Sequence, residues 1–65
     1  MKQHEERALT EKAEIDTKRE YLMAFIEGEV FGTLQPEDQN LLKLQLSVMK
    51  TYSDILAIRI GKFDL

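Results

Sequence analysis

The chain has no cysteine, one histidine, one proline and three glycines in 65 residues. Without cysteine there is neither a disulfide nor a thiolate metal site, and one histidine alone does not build a zinc site. No metal and no cofactor is expected. No apolar run approaches the ~20 residues of a membrane span. The first residues, Met1 to Glu6, lack the apolar core of a signal peptide, so the expectation is a cytosolic protein with no membrane partner. The net charge of −3 leaves no basic face for duplex nucleic acid. A small anionic ligand held by a few local cations remains compatible with it.

Enzyme signatures are missing too. There is no glycine-rich phosphate loop, no nucleophile elbow and no His-Glu-x-x-His. A carboxylate pair for acid–base work needs a pocket, and two helices do not enclose one. The reading is a non-enzyme with no catalytic residue. The length allows one domain, spanning 1–65, and chains this small need a staple. With disulfides and metals gone, oligomerisation is the staple that remains.

What is present is helical. From Gln3 to Glu27 there is neither proline nor glycine, and Glu, Lys, Arg and Ala dominate. Ala8, Ile15 and Leu22 recur every seven residues, and Ile26 continues the stripe. Pairs such as Glu14 and Lys18 add tenths of a kcal/mol each. The connection spans 28–35. Gly28 suits a left-handed helix-capping position, and Gly32 suits a turn. Val30, Phe31 and Leu34 are too apolar for an open loop and predict a short helical turn that plugs the end of a hairpin. Pro36 opens the second helix at its first position, with Glu37 and Asp38 on the positive end of its dipole. That helix is expected to run 36–60, with Gly61 near its end and Phe63 just beyond.

The second helix carries too much apolar surface for one partner. Its apolar residues cover over half the circumference, and the solvated face is confined to Lys43, Ser47, Lys50 and Asp54. A surface helix needs a stripe of only ~100°. The first helix offers a thin one, interrupted by Lys12 and Arg19. The fold class is therefore all-α: an antiparallel two-helix hairpin with a short helical turn in its connection, assembling as a homo-oligomeric helical bundle, a dimer or larger. The expected oligomer interface comprises Ile15, Leu22, Leu42, Val48, Met49, Ile55, Leu56 and Phe63.

A polar line runs through that apolar face. Gln45, Tyr52 and Arg59 recur every seven residues and stack along one side. A guanidinium there is costly unless paired or at an edge. In the structural reading Arg59 pairs with an acid, Gln45 and Tyr52 satisfy each other, and the set fixes register. In the functional reading Tyr52 stacks on a ring while Arg59 takes a phosphate or carboxylate. Lys12, Lys18 and Arg19 form a second set. They either salt-bridge to Glu5, Asp16 or a neighbouring chain, or complete an anion site with a second protomer. Tyr21 and Phe25 pair one helical turn apart, either as packing or as a protein-binding patch. His4 reads as a solvated terminal residue.

The order of residues from Glu6–Arg7 through Glu14–Ile15, Lys18, Leu22, Phe25–Ile26, Phe31 and Leu34 is also informative. It continues with Leu41–Leu42, Gln45–Leu46, Met49, Tyr52–Ser53, Leu56, Arg59–Ile60 and Phe63. This order resembles a family of small phage proteins related to crAss-like phages, over nearly the whole chain. Ala8 and Leu9 stand where bulkier aliphatic residues belong. The resemblance implies a phage or prophage origin, hence the host cytoplasm, and no assigned activity. By analogy with other small phage helical hairpins that form rings, one expectation is an oligomer that sequesters a nucleotide-type immune signal through Tyr52, Arg59, Lys18, Arg19 and Gln45. The alternatives are a module that binds and inhibits a host protein, or a structural phage accessory protein.

Overall fold

The computed structural model describes residues 2–63. Met1, Asp64 and Leu65 lie outside them. Helix α1 spans Gln3–Glu27. Its first turn is closed by Glu5, whose Oε1 accepts the Lys2 N–H at 3.0 Å, satisfying a donor that the helix leaves open. The chain leaves α1 at Gly28, whose N–H donates to the Phe25 carbonyl at 3.1 Å. A 3₁₀ turn, Phe31–Thr33, follows. Helix α2 runs Pro36–Gly61. It opens on the proline, and the Gln39 side chain donates to the Leu34 carbonyl at 2.9 Å.

Gly28 is not left-handed. Its φ of −82° and ψ of 172° are extended, and no residue among those described has a positive φ. The reversal is made instead by the extended step plus the 3₁₀ turn. Phe31 is buried there. Its ring meets Phe25 edge-on with centroids 6.5 Å apart, and the Lys43 ammonium sits 5.8 Å above it. Phe31 thus plugs the closed end of the hairpin. At the open end His4 packs edge-on against Phe63 at 6.3 Å, so it is a packing residue as well as a terminal one.

The two helices pack antiparallel in a rod of 47 × 14 × 14 Å. The less exposed residues of α1 are Glu5, Ala8, Lys12, Ile15, Arg19, Leu22 and Ile26, with Asp16 beside them. Those of α2 are Gln39, Leu42, Leu46, Met49, Ser53, Leu56 and Ile60, and Phe63 extends the line. Both sets alternate steps of three and four, the pattern of a coiled-coil seam. Leu56 is fully buried. Lys12 and Arg19 therefore occupy seam positions; they do not merely flank the stripe. Glu14 and Lys18 form no ion pair; among the described residues the pairs are Lys12–Asp16 and Lys50–Asp54.

Candidate functional site

Polar residues border the seam on both sides, and the two borders differ in charge. On one side Lys12, Asp16 and Ser53 close a ring of hydrogen bonds. The Lys12 ammonium donates to Asp16 Oδ2 at 2.7 Å and to Ser53 Oγ at 3.0 Å. Ser53 Oγ donates to Asp16 Oδ1 at 2.5 Å. The Lys12 bond, then the Ser53 bond, hold the Asp16 carboxyl below its ordinary value. Ser53 is buried, and sequence reasoning missed it. The available signal was its place midway between Met49 and Leu56 on the seam.

This ring opens into a groove of about 450 Å³ that Arg19, Glu20, Met23 and Asp54 also line. Arg19 Nε is buried there without a hydrogen-bond partner. Three carboxylates (Asp16, Glu20 and Asp54) outnumber the two cations (Lys12 and Arg19) in this groove. A phosphate would be repelled, so the groove is a poor anion site despite its arginine.

The other border carries Tyr52. Its hydroxyl donates to Glu11 Oε2 at 2.6 Å. That bond foremost, with partial burial, raises the phenol above its ordinary value, against a smaller opposing effect of Arg59. Gln45 and Arg59 lie one heptad either side of Tyr52, ~10 Å away along the axis. On α1, Lys18 lies one heptad beyond Glu11. Because the helices are antiparallel, that places Lys18 level with Gln45. The structure thus gathers Gln45, Tyr52, Arg59 and Lys18 along one edge and puts Arg19 on the opposite one.

The polar line is consequently not inside the packed face but along its rim. Gln45 and Arg59 are exposed, and Tyr52 is satisfied by Glu11, not by Gln45. Arg59 has no ion-pair partner among the described residues of the hairpin. The physical reason is that Ser53, not Tyr52, takes the seam position, which turns the whole 45–52–59 line outward.

The Sequestin family model matches residues 2–62. The chain belongs to the Sequestin family. No curated protein and no solved structure matches it. Both polar borders fall within the span that matches Sequestin.

The hairpin leaves a second apolar stripe uncovered. Ile15, Leu22, Leu42, Met49, Leu56 and Phe63 line the seam within one hairpin. Val48 and Ile55 instead face outward, 66% and 50% exposed. With Leu41, Leu44 and Ile58 they form an exposed apolar stripe along α2. This stripe adjoins Tyr52, and a groove of about 430 Å³ lies between Ser47, Val48, Thr51, Tyr52 and Ile55. No helix among the described residues is long and apolar enough to cross a membrane.

Proposed function

We propose that this chain is a non-enzymatic phage accessory protein of counter-defence that sequesters a nucleotide-type immune signal in the host cytoplasm, acting as a homo-oligomer. The family name implies sequestering, and the resemblance to phage proteins supplies the setting. The observation that carries the ligand class is the Tyr52 edge. A partly exposed aromatic ring has a cation level with each neighbouring heptad, Lys18 on one side and Arg59 on the other. Glu11, which accepts the Tyr52 hydroxyl, and Glu14, between Glu11 and Lys18 on the same face of α1, are the carboxylates beside them. Spacings of ~10 Å suit a base stacked on Tyr52 with its phosphates reaching a cation. Gln45 would hydrogen-bond the ring edge or sugar. The groove at Arg19 has an excess of carboxylates, which favours a role in packing for that residue.

The test is calorimetric titration of the protein with a panel of cyclic oligonucleotides and ADP-ribose derivatives. The expected result is saturable binding of at least one compound, recovered chemically intact on heating. Tyr52→Ala and Arg59→Ala should each weaken it about tenfold or more. No heat and no thermal shift across the panel would overturn the reading.

One observation favours a second reading, a module that binds and inhibits a host protein. Tyr21 is 74% exposed, although Phe25, its neighbour one turn on, packs against Phe31. A pull-down from host lysate that loses a partner on Tyr21→Ala would support that module over sequestration.

A further inference from the structure

The exposed stripe of α2 reads the same from either end. Leu41, Leu44, Val48, Thr51, Ile55 and Ile58 are separated by three, four, three, four and three residues. The centre of the pattern lies between Met49 and Lys50, near the middle of α2. Thr51 does not spoil it. Its hydroxyl donates to the Ser47 carbonyl at 3.1 Å, so the polar atom is satisfied within the helix and the methyl is free to pack. A stripe with this symmetry is complementary to itself when a second helix is laid on it antiparallel, the arrangement a twofold axis produces.

We infer that a second copy of this chain seats on α2 across a twofold axis between Met49 and Lys50. In that register Leu41 meets Ile58 of the second copy, Leu44 meets Ile55, and Val48 meets Thr51. Each layer pairs two side chains that the single hairpin leaves exposed. The flanking positions agree with this. In an antiparallel pair the heptad line beside the stripe, which passes through the residues just after Leu44, Thr51 and Ile58 and extends one heptad before Gln45, faces its own kind across the seam. Those positions are Asp38, Gln45, Tyr52 and Arg59. The register sets Asp38 against Arg59 and Gln45 against Tyr52, twice each. Opposite charges meet at both ends, an amide meets a phenol in the middle, and no like charges face each other.

The area agrees as well. The hairpin exposes 5105 Å². A compact monomer of 7.6 kDa exposes ~4300 Å² by the usual scaling with mass. The surplus of ~800 Å² is one partner's share of a standard interface. A parallel partner, or an unrelated helix, would use the apolar stripe but would not match Asp38 to Arg59.

The two polar edges then lie on the same side of a four-helix row. Tyr52 of one copy then lies beside Gln45 of the other, with Lys18 of that second copy level with it, while Arg59 is engaged by Asp38; a ligand shared across the interface would draw its cation from Lys18. That last step rests on the sequestration reading; the interface does not.

Sedimentation equilibrium of the full chain tests the interface. The expected mass is twice 7.6 kDa. Val48→Glu should give a monomer. Asp38→Arg and Arg59→Asp should each weaken the dimer several-fold, and the double variant should restore it. Should Val48→Glu unfold, as a hairpin dependent on its partner would, the wild-type melting temperature must rise with protein concentration. A wild-type monomer, a Val48→Glu variant that stays associated, or a charge swap that fails to rescue would overturn the inference. Calorimetry on the same samples separates the two claims. A dimer that binds no nucleotide removes sequestration and keeps the interface, while a monomer that binds one does the reverse.

Discussion

The Lys12 ammonium donates to Ser53 Oγ at 3.0 Å across 41 residues of chain. This bond ties the middle of α1 to α2 at a seam position where an aliphatic side chain would otherwise sit. It works with the parallel link from Tyr52 to Glu11 on the rim, which spans the same number of residues. Together they fix how far one helix can slide past the other, because an apolar seam of uniform spacing tolerates a shift of one heptad and a hydrogen-bonded one does not.

Removing the buried hydroxyl should expose that constraint. Ser53→Ala takes away an acceptor from Lys12 and a donor to Asp16. The expected cost is about 1 kcal/mol, read as a lower midpoint in urea with an unchanged slope. A larger hydrophobe in the same place, Ser53→Leu, should leave Lys12 and Asp16 to each other and loosen the register, seen as broadened amide signals along α2.

Acid should weaken the hairpin through Asp16. Its carboxyl is held below the ordinary 3.8, first by the Lys12 hydrogen bond and then by Ser53. A depressed folded-state value contributes stability above the unfolded value, and that contribution is lost as pH falls through the folded one. Asp54, lowered mainly by its bond to Lys50, acts in the same sense. Thermal melts should therefore fall as pH drops below about 4, and Asp16→Asn should flatten that decline. A variant with the wild-type slope would show that the ring contributes nothing to it.

The phenol of Tyr52 should report its rim contact directly. Its ionisation is pushed above 10.0, chiefly by the bond it donates to Glu11. Glu11→Gln removes the charged acceptor and should bring the titration, followed by absorbance at alkaline pH, back towards the ordinary range. Bound ligand stacked on the ring should raise it again, or hide it.

Gly28 offers a backbone test. Since its φ is negative, alanine there needs no left-handed conformation. An added Cβ would meet the Ala24 and Phe25 carbonyl oxygens at 3.4 Å, an ordinary contact. Gly28→Ala should be neutral or stabilising by up to ~1 kcal/mol in a urea titration. A loss of that size would mean that the chain leaves α1 through a left-handed glycine after all.

Several parts of this were legible from residues alone. Ala8, Ile15, Leu22 and Ile26 mark the inner line of α1 because their neighbours are polar. Pro36 opens α2 because proline without its N–H suits a first turn. Phe31 and Leu34 announced a packed connection by being too apolar for water. Lys12 and Ser53 were not legible. A polar side chain at a seam position looks like an interruption until its partner, far along the chain, is known. Tyr52 lies on the rim of the apolar face and not within it, because Ser53 beside it takes the seam position.

The sequence by itself determined two long helices, the break between them and a surplus of apolar surface on the second. Local propensity, the 3.6-residue period and capping chemistry act over a few neighbouring residues, so they can be read without a fold. Only the tertiary structure decided which of the two apolar stripes on α2 faces α1. Both stripes have the same three-and-four spacing, and nothing local distinguishes them. Packing against Ala8, Ile15 and Leu22, with Lys12 and Asp16 closing on Ser53, selects the line through Leu42, Met49 and Leu56. The same choice leaves Leu41, Val48 and Ile55 outside and sets Tyr52 on the rim between the two.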